Sequence, residues 1–327
     1  MKRLNLAFFV VGLACLVLTL VKVGLSALVD GAIQLGGWFW PVAAINLVWY
    51  AADAMGWGRV LGRAARFPGR THRLVWAQVA GEAINNATPL MNLGGEPMKG
   101  LLLQGRVAGD TIVSSLVVDN TLKYVATLVF LAVGLGLSLL VLDLAWQVQV
   151  GLVVAFAAIA VLVGLAIVAQ KSGILEWGLK AARRLGLPQT AVDKRMPAAQ
   201  RIDAEIGRFW GSRRRDFGGA LGWHLASRLI ATADAAVLLY LLGCPVGALQ
   251  ALFIQTISVL LNLVFAFIPL QIGAAEGGHY FLFQAIGMDP ATGVVFSLVR
   301  RVRGLLWIGV GLLVVLVLSR RRTADAA

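Results

Sequence analysis

Two glutamates 180 positions apart, Glu96 and Glu276, each follow a proline by seven residues inside apolar sequence. Pro89-Leu90-Met91-Asn92-Leu93-Gly94-Gly95-Glu96 is answered by Pro269-Leu270-Gln271-Ile272-Gly273-Ala274-Ala275-Glu276, and Gln104 and Gln284 follow at the same offset. A carboxylate in such surroundings can pair with a cation, take up a proton that drives transport, or hold free backbone N–H groups at a helix break. The cations that share this apolar sequence are Lys123, Arg228, Arg300, Arg301 and Arg303, and their candidate partners are Glu82, Glu96, Asp119, Asp234 and Glu276. The offset also aligns Lys123 with Arg303 and Asn120 with Arg300.

Three readings of these residues stand together. In the first, Arg300, Arg303 and Lys123, with the N–H groups at Gly94, Gly95 and Gly273, hold a phosphate-bearing lipid headgroup. In the second, each arginine only neutralises Glu96 or Glu276 and fixes the chain breaks in place. In the third, the two glutamates carry protons. Asn85, Asn86 and Asn92 serve either as substrate ligands or as partners for the backbone groups that a break sets free. The substrate-binding set is therefore Asn85, Asn86, Pro89, Gly94, Gly95, Glu96, Lys99, Asn120, Lys123, Gly273, Glu276, Arg300 and Arg303. Asp53 and His224 stand behind it.

Other chemistries find no support in the sequence. Glu276 and His279 form one Glu-x-x-His pair with no second pair to complete a di-metal site, so no metal is expected. No phosphate-binding Gly-x4-Gly-Lys-Ser/Thr run and no nucleophile elbow occurs, so neither direct ATP use nor a cofactor is expected. Cys15 and Cys244 lie in or beside apolar runs and are read as packing residues.

The elements that must position these residues are membrane helices. The chain has 327 residues, 59% hydrophobic and 14% charged, with mean hydropathy +0.82, which excludes a soluble domain. Its formal charge of +13 is concentrated in particular loops, where it reports topology and contact with lipid rather than nucleic acid. Apolar runs predict spans over 4–28, 38–58, 111–142, 148–169, 217–242 and 291–318. The first is read as an uncleaved span. Segments 74–103 and 248–288 are apolar at their ends and broken in the middle, which predicts two re-entrant helical hairpins.

Arg59, Arg63, Arg66, Arg70 and Arg73 without an intervening acid place their loop in the cytoplasm, together with both termini and the basic loop 171–216. Within that loop Ile174, Trp177, Ala181 and Leu185, and further on Ile202, Ile206 and Phe209, recur at helical spacing. They suit helices on the membrane surface or a solvated loop. The expected architecture is an all-α polytopic membrane protein of about six transmembrane helices and two hairpins. Residues 1–142 and 147–318 form two halves of opposite orientation, an inverted-topology repeat.

The stretch from Asn85 to Lys99, with Pro269, Gly273, Glu276 and Arg300, resembles the lysylphosphatidylglycerol synthase transmembrane, or flippase-like, family over nearly the whole chain. Leu270-Gln271 and Asp119-Asn120 depart from its usual pattern, and the second break looks closest to the hopanoid-associated branch. The resemblance implies a lipid translocase of the bacterial inner membrane that works by alternating access without ATP. Its substrate would be an anionic phospholipid or an isoprenoid or hopanoid lipid. Aminoacyl-transferring members carry a soluble catalytic domain after the membrane part, whereas this sequence stops at Ala327, so it is not expected to be a synthase. The rival expectation is a membrane subunit of a lipid-synthesis complex, with lipid-biosynthesis enzymes as partners; a third is a scaffold that binds an enzyme through the basic loop.

Overall fold

The computed structural model describes residues 33, 35–87, 94–141, 146–186, 188–266, 268 and 271–325. The expected span 4–28 and the residues Pro89, Asn92, Pro269 and Leu270 lie outside them. Among the described residues there are eleven α-helices. They are α1 (Phe39–Leu61), α2 (Arg70–Ala87), α3 (Glu96–Leu103), α4 (Gly109–Val141), α5 (Trp146–Lys171), α6 (Ile174–Arg184), α7 (Gln189–Ser212), α8 (Arg214–Leu241), α9 (Ala248–Val264), α10 (Ala274–Ala285) and α11 (Pro290–Asp325). Residues 109–137 and the helices α5 and α8 are long and apolar enough to cross a bilayer, and α9 is a shorter apolar helix. The protein is an all-helical, multi-pass membrane protein.

Local sequence accounts for the helix limits. In α5 no charge interrupts the run from Trp146 until Lys171, which sits in the last turn where a cation favours the helix dipole. Its most apolar stretch of 18 residues has mean hydropathy 3.0 and only 6% of that stretch is buried, as befits a helix that is apolar all round and faces lipid. Before α11, Asp289 accepts hydrogen bonds from the N–H groups of Ala291 (3.2 Å) and Thr292 (3.1 Å), while Pro290 takes the first helical position, where its missing N–H is harmless.

α1 is the centre of the bundle, packed on α8 and α2 and touching α4. One apolar core joins Val42 of α1 to Leu238, Ile254, Phe283 and Phe296 on α8 to α11. A second joins Trp57 and Leu61 of α1 to Leu74, Leu103 and Ile112 on α2, α3 and α4. Close crossings are made with small residues, as between membrane helices generally. Gly311 of α11 lies against Ala83 and the Val79 carbonyl of α2, and Gly134 of α4 lies against Thr256 of α9.

The basic segment 171–216 folds into α6 and α7. Ile202, Ile206 and Phe209 do not lie on a membrane surface: they are buried against Val60, Val118, Leu122 and Ala220, because α7 docks on α4. Asp203 of α7 accepts from the N–H groups of Leu175 (3.2 Å) and Glu176 (2.9 Å) and so caps α6. Trp177 of α6 and Leu185 just after it remain 70% and 87% exposed, which leaves an apolar edge on an otherwise basic helix.

Candidate substrate site and its polar network

The break between α2 and α3 is held by Gly95. A Cβ at Gly95 would collide with the Gly81 carbonyl of α2, so only glycine permits this approach. The Gly95 N–H donates to Asn85 Oδ1 at 2.7 Å, which gives a freed backbone group a partner. Beyond it, Lys99 is fully buried, its stem lying over Gly81. Its Nζ is 2.9 Å from Glu96 Oε1 and 3.8 Å from Glu82 Oε1. One cation therefore serves two carboxylates, as a charge removed from water requires.

Glu82 accepts from Gln78 Nε2 at 2.9 Å, and Gln78 Oε1 accepts from Lys123 Nζ of α4 at 3.4 Å. Lys123 pairs with Asp119 one turn earlier at 3.3 Å. Asp119 Oδ1 lies 3.1 Å from His224 Nε2 of α8, and His224 Nδ1 lies 2.8 Å from Asp53 Oδ1 of α1. Both contacts become hydrogen bonds only if the three groups share one proton more than a neutral ring and two carboxylates hold. The chain of contacts from Asp53 to Glu96 runs through five helices; His224, Asp119, Gln78 and Lys99 are buried, and Asp53, Lys123, Glu82 and Glu96 are half-buried.

The second break is held differently. Gly273 has φ +77°, a conformation that favours glycine, and donates its N–H to Glu276 Oε2 at 2.9 Å. Glu276 is buried and also accepts from Arg301 of α11 at 2.8 Å, while Arg301 donates to the Gln271 carbonyl at 2.9 Å. Arg303 forms a two-pronged pair with Asp234 of α8, both contacts at 2.7 Å. His279 lies 2.9 Å from Ser258 Oγ through Nε2 and donates from Nδ1 to the Ala275 carbonyl at 2.7 Å, so its ring is engaged within α9 and α10.

Arg300 stands apart. Its guanidinium lies 5.2 Å over the Phe296 ring, and its buried Nη1 has no hydrogen-bond partner among the described residues. It lines a cavity of about 240 Å³ together with Asn46, Trp49 and Tyr50 of α1, Asn85 and Asn86 of α2, Asn262 of α9, Gln271, and Arg301 and Arg303 of α11. Of the residues singled out in the sequence, Asn85, Asn86, Arg300 and Arg303 meet in this cavity, with Gly273 and Glu276 one contact behind it. Gly95, Glu96, Lys99 and Lys123 belong to the buried network instead; Gly94 precedes them, and Asn120 is half-buried and lines neither this cavity nor that network.

Residues 5–312 match the family described as the lysylphosphatidylglycerol synthase TM region. The chain belongs to that family. No curated protein and no solved structure matches it. Membership in the lysylphosphatidylglycerol synthase TM-region family ties this multi-pass protein to membrane-lipid modification.

Three participants in this family member's polar core carried little signal in the sequence. Asp53 and His224 are 171 positions apart, and only the packing of α8 on α1 joins them. Arg301, not Arg300, reaches Glu276. One residue is a rotation of roughly 100° around a helix, so the choice between neighbours depends on how α11 is turned against α10.

Proposed function

We propose that this protein is a lipid translocase that binds a phosphate-bearing lipid headgroup and moves it across the bacterial inner membrane by alternating access, without ATP. The observation that carries this reading is Arg300, whose Nη1 has no partner among the described residues and which lines the cavity between the two breaks. An unsatisfied guanidinium N–H buried in an apolar medium is unfavourable, and a phosphate oxygen is the partner that fits it best. At about 240 Å³ the cavity is smaller than the roughly 300–1,000 Å³ of pockets that hold whole small ligands, so it suits a headgroup whose tails stay in the bilayer. Asn85 and Asn86 would supply neutral polar contacts and Gln271 the rim.

Alternating access follows from reading the chain as two inverted halves whose broken elements are re-entrant hairpins. Helix pairing supports that reading: α2 of the first half packs on α11 of the second, and α9 of the second packs on α4 of the first. Under it the arginine-rich loop after α1 faces the cytoplasm. An isoprenoid or hopanoid lipid with a phosphate headgroup fits the cavity's chemistry as well as a glycerophospholipid. The family is named for a synthase, which favours the rival reading of a membrane subunit in a lipid-synthesis complex.

The deciding experiment is translocation in proteoliposomes with a panel of labelled phospholipids and isoprenoid lipids. Wild type moves at least one of them, and Arg300→Ala slows that movement about tenfold, the equivalent of ~1.4 kcal/mol. Glu276→Gln slows it less, because the amide retains a hydrogen bond to Gly273. Well-folded wild type that moves no lipid sinks the translocase reading in favour of the synthesis-complex subunit.

A further inference from the structure

At the opposite end of α1 lies a second and larger cavity, about 720 Å³, with no lining residue in common with the first. Tyr50 belongs to one and Gly58 to the other, roughly 12 Å apart along the helix axis, with the Asp53–His224 contact between them. Six arginines converge on this space: Arg59, Arg63, Arg66, Arg70, Arg208 and Arg213. Among the described residues two acids face them, Glu205 and Asp216, which leaves an excess of four positive charges.

Both acids are already engaged. Glu205 accepts the hydroxyls of Ser114 (2.6 Å) and Thr111 (3.2 Å), and Asp216 accepts from Arg213 at 2.8 Å. Two of the arginines have backbone work. Arg70 donates to the Gly58 carbonyl at 2.6 Å, and Arg213 donates to the carbonyls of Val60 (2.8 Å) and Arg59 (3.1 Å), so they cap the last turn of α1. Arg59, Arg63 and Arg66 are exposed around the mouth, and Arg208 contacts only the Ala204 carbonyl at 3.4 Å. Burial and then the neighbouring Arg59 and Arg66 push the Arg70 guanidinium below the ordinary arginine range, a sign of how closely like charges are gathered.

Membrane topology asks for basic residues in such a loop but not for their convergence, from the ends of α1 and α2, their connection, α7 and the α7–α8 junction, on one concave space. Gathering like charges there is unfavourable unless an anion joins them. The volume falls within the range of small-ligand pockets. Planar guanidinium forks match phosphate oxygens in pairs, and with the hydroxyls bound elsewhere the guanidiniums alone would read the ligand.

We propose that the arginine cavity is a binding site for a phosphate group carrying two or more negative charges, a phosphomonoester or a pyrophosphate. The group belongs either to a lipid headgroup entering from the membrane surface or to a soluble phosphate compound. This site stands apart from the Arg300 cavity and does not depend on translocation.

The test uses the full-length protein in phosphatidylcholine nanodiscs. One arm titrates inorganic pyrophosphate by calorimetry, and the other measures retention of a spin-labelled phosphatidic acid added to the disc. Arg63→Gln/Arg66→Gln removes two mouth charges that hold no structural contact, and it weakens binding about tenfold or more, ~1.4 kcal/mol. Arg183→Gln/Arg184→Gln on α6 removes the same charge outside the cavity and leaves affinity within about twofold, since exposed charges beyond a Debye length are screened. Binding in both arms means that the site reads the phosphate itself; binding of phosphatidic acid alone assigns a lipid source, and of pyrophosphate alone a soluble one. Saturable binding in neither arm overturns the proposal. So does an equal loss in the α6 variant, which would reduce the effect to general surface charge.

Discussion

The two chain breaks carry the same glutamate at the same offset and treat it differently. Glu96 opens α3 and is neutralised by Lys99 of its own helix, three residues on, while Glu276 folds back onto the Gly273 N–H and is neutralised by Arg301 from another helix. The position matching Lys99 is His279, which turns away from the glutamate toward Ser258 and the Ala275 carbonyl. The charge of the first break is thus neutralised from within, its polar tie to α4 runs through Gln78 and Lys123, and Leu103 packs on Ile112 of the same helix. The second is latched to α11 directly. A latch between elements can open when another anion meets Arg301 and another cation meets Glu276, so that neither charge is left unpaired. That makes the second break the better suited of the two to move against its neighbour.

The contrast fixes where substitution should hurt most. Lys99→Met leaves Glu82 and Glu96 facing one another with no cation, and removing one partner of a buried pair costs about 3–5 kcal/mol. Thermal unfolding in detergent should show a large fall in the midpoint. Adding Glu96→Gln and Glu82→Gln to that variant should restore more than half of the loss. Failure to recover would mean that Lys99 acts through its stem packed on Gly81 rather than through its charge.

Much of this asymmetry was out of reach of the sequence, and the reason is geometric. The apolar runs and the two breaks were legible because membrane helices must satisfy their backbone locally, so composition marks them directly. The Glu96–Lys99 pair was missed, because Glu96 was matched with the arginines of later helices although Lys99 stands three residues on along the same helix. Sequence analysis named Asp234 and Glu276 among the carboxylates available to α11, but Arg300, Arg301 and Arg303 point in three directions, and only packing assigns a partner to each. The arginine cavity was visible as a run of basic residues and not as a cavity. Its second wall comes from α7 and α8, some 150 positions later in the chain.

Arg301→Met tests the latch. Glu276 keeps its hydrogen bond from Gly273, so the loss is smaller than for Lys99, about 1–3 kcal/mol for a buried carboxylate stripped of one donor. The distinguishing readout is where the change is felt. Hydrogen exchange should rise along α10 and the Gln271–Gly273 turn while α2 and α3 keep their protection, since no contact of Arg301 reaches them. Equal loosening of both breaks would mean that they move as one body, and the contrast between a self-contained and a latched break would fall.

Ser258→Ala gives the smallest effect and the sharpest check on the role of His279. The hydroxyl of Ser258 lies 2.7 Å from the Ile254 carbonyl and 2.9 Å from His279 Nε2, two acceptors that share its one hydrogen. Its loss leaves a buried ring nitrogen unpaired, at about 1 kcal/mol. If His279 is only a packing residue tied to α9, Ser258→Ala and His279→Ala are strongly non-additive in unfolding, because both remove the same contact. If the ring instead turns to Glu276 once Ser258 is gone, taking the place that Lys99 holds in the first break, the single serine variant becomes insensitive to Arg301→Met. The two breaks would then share one design, from which the Ser258 contact diverts the second.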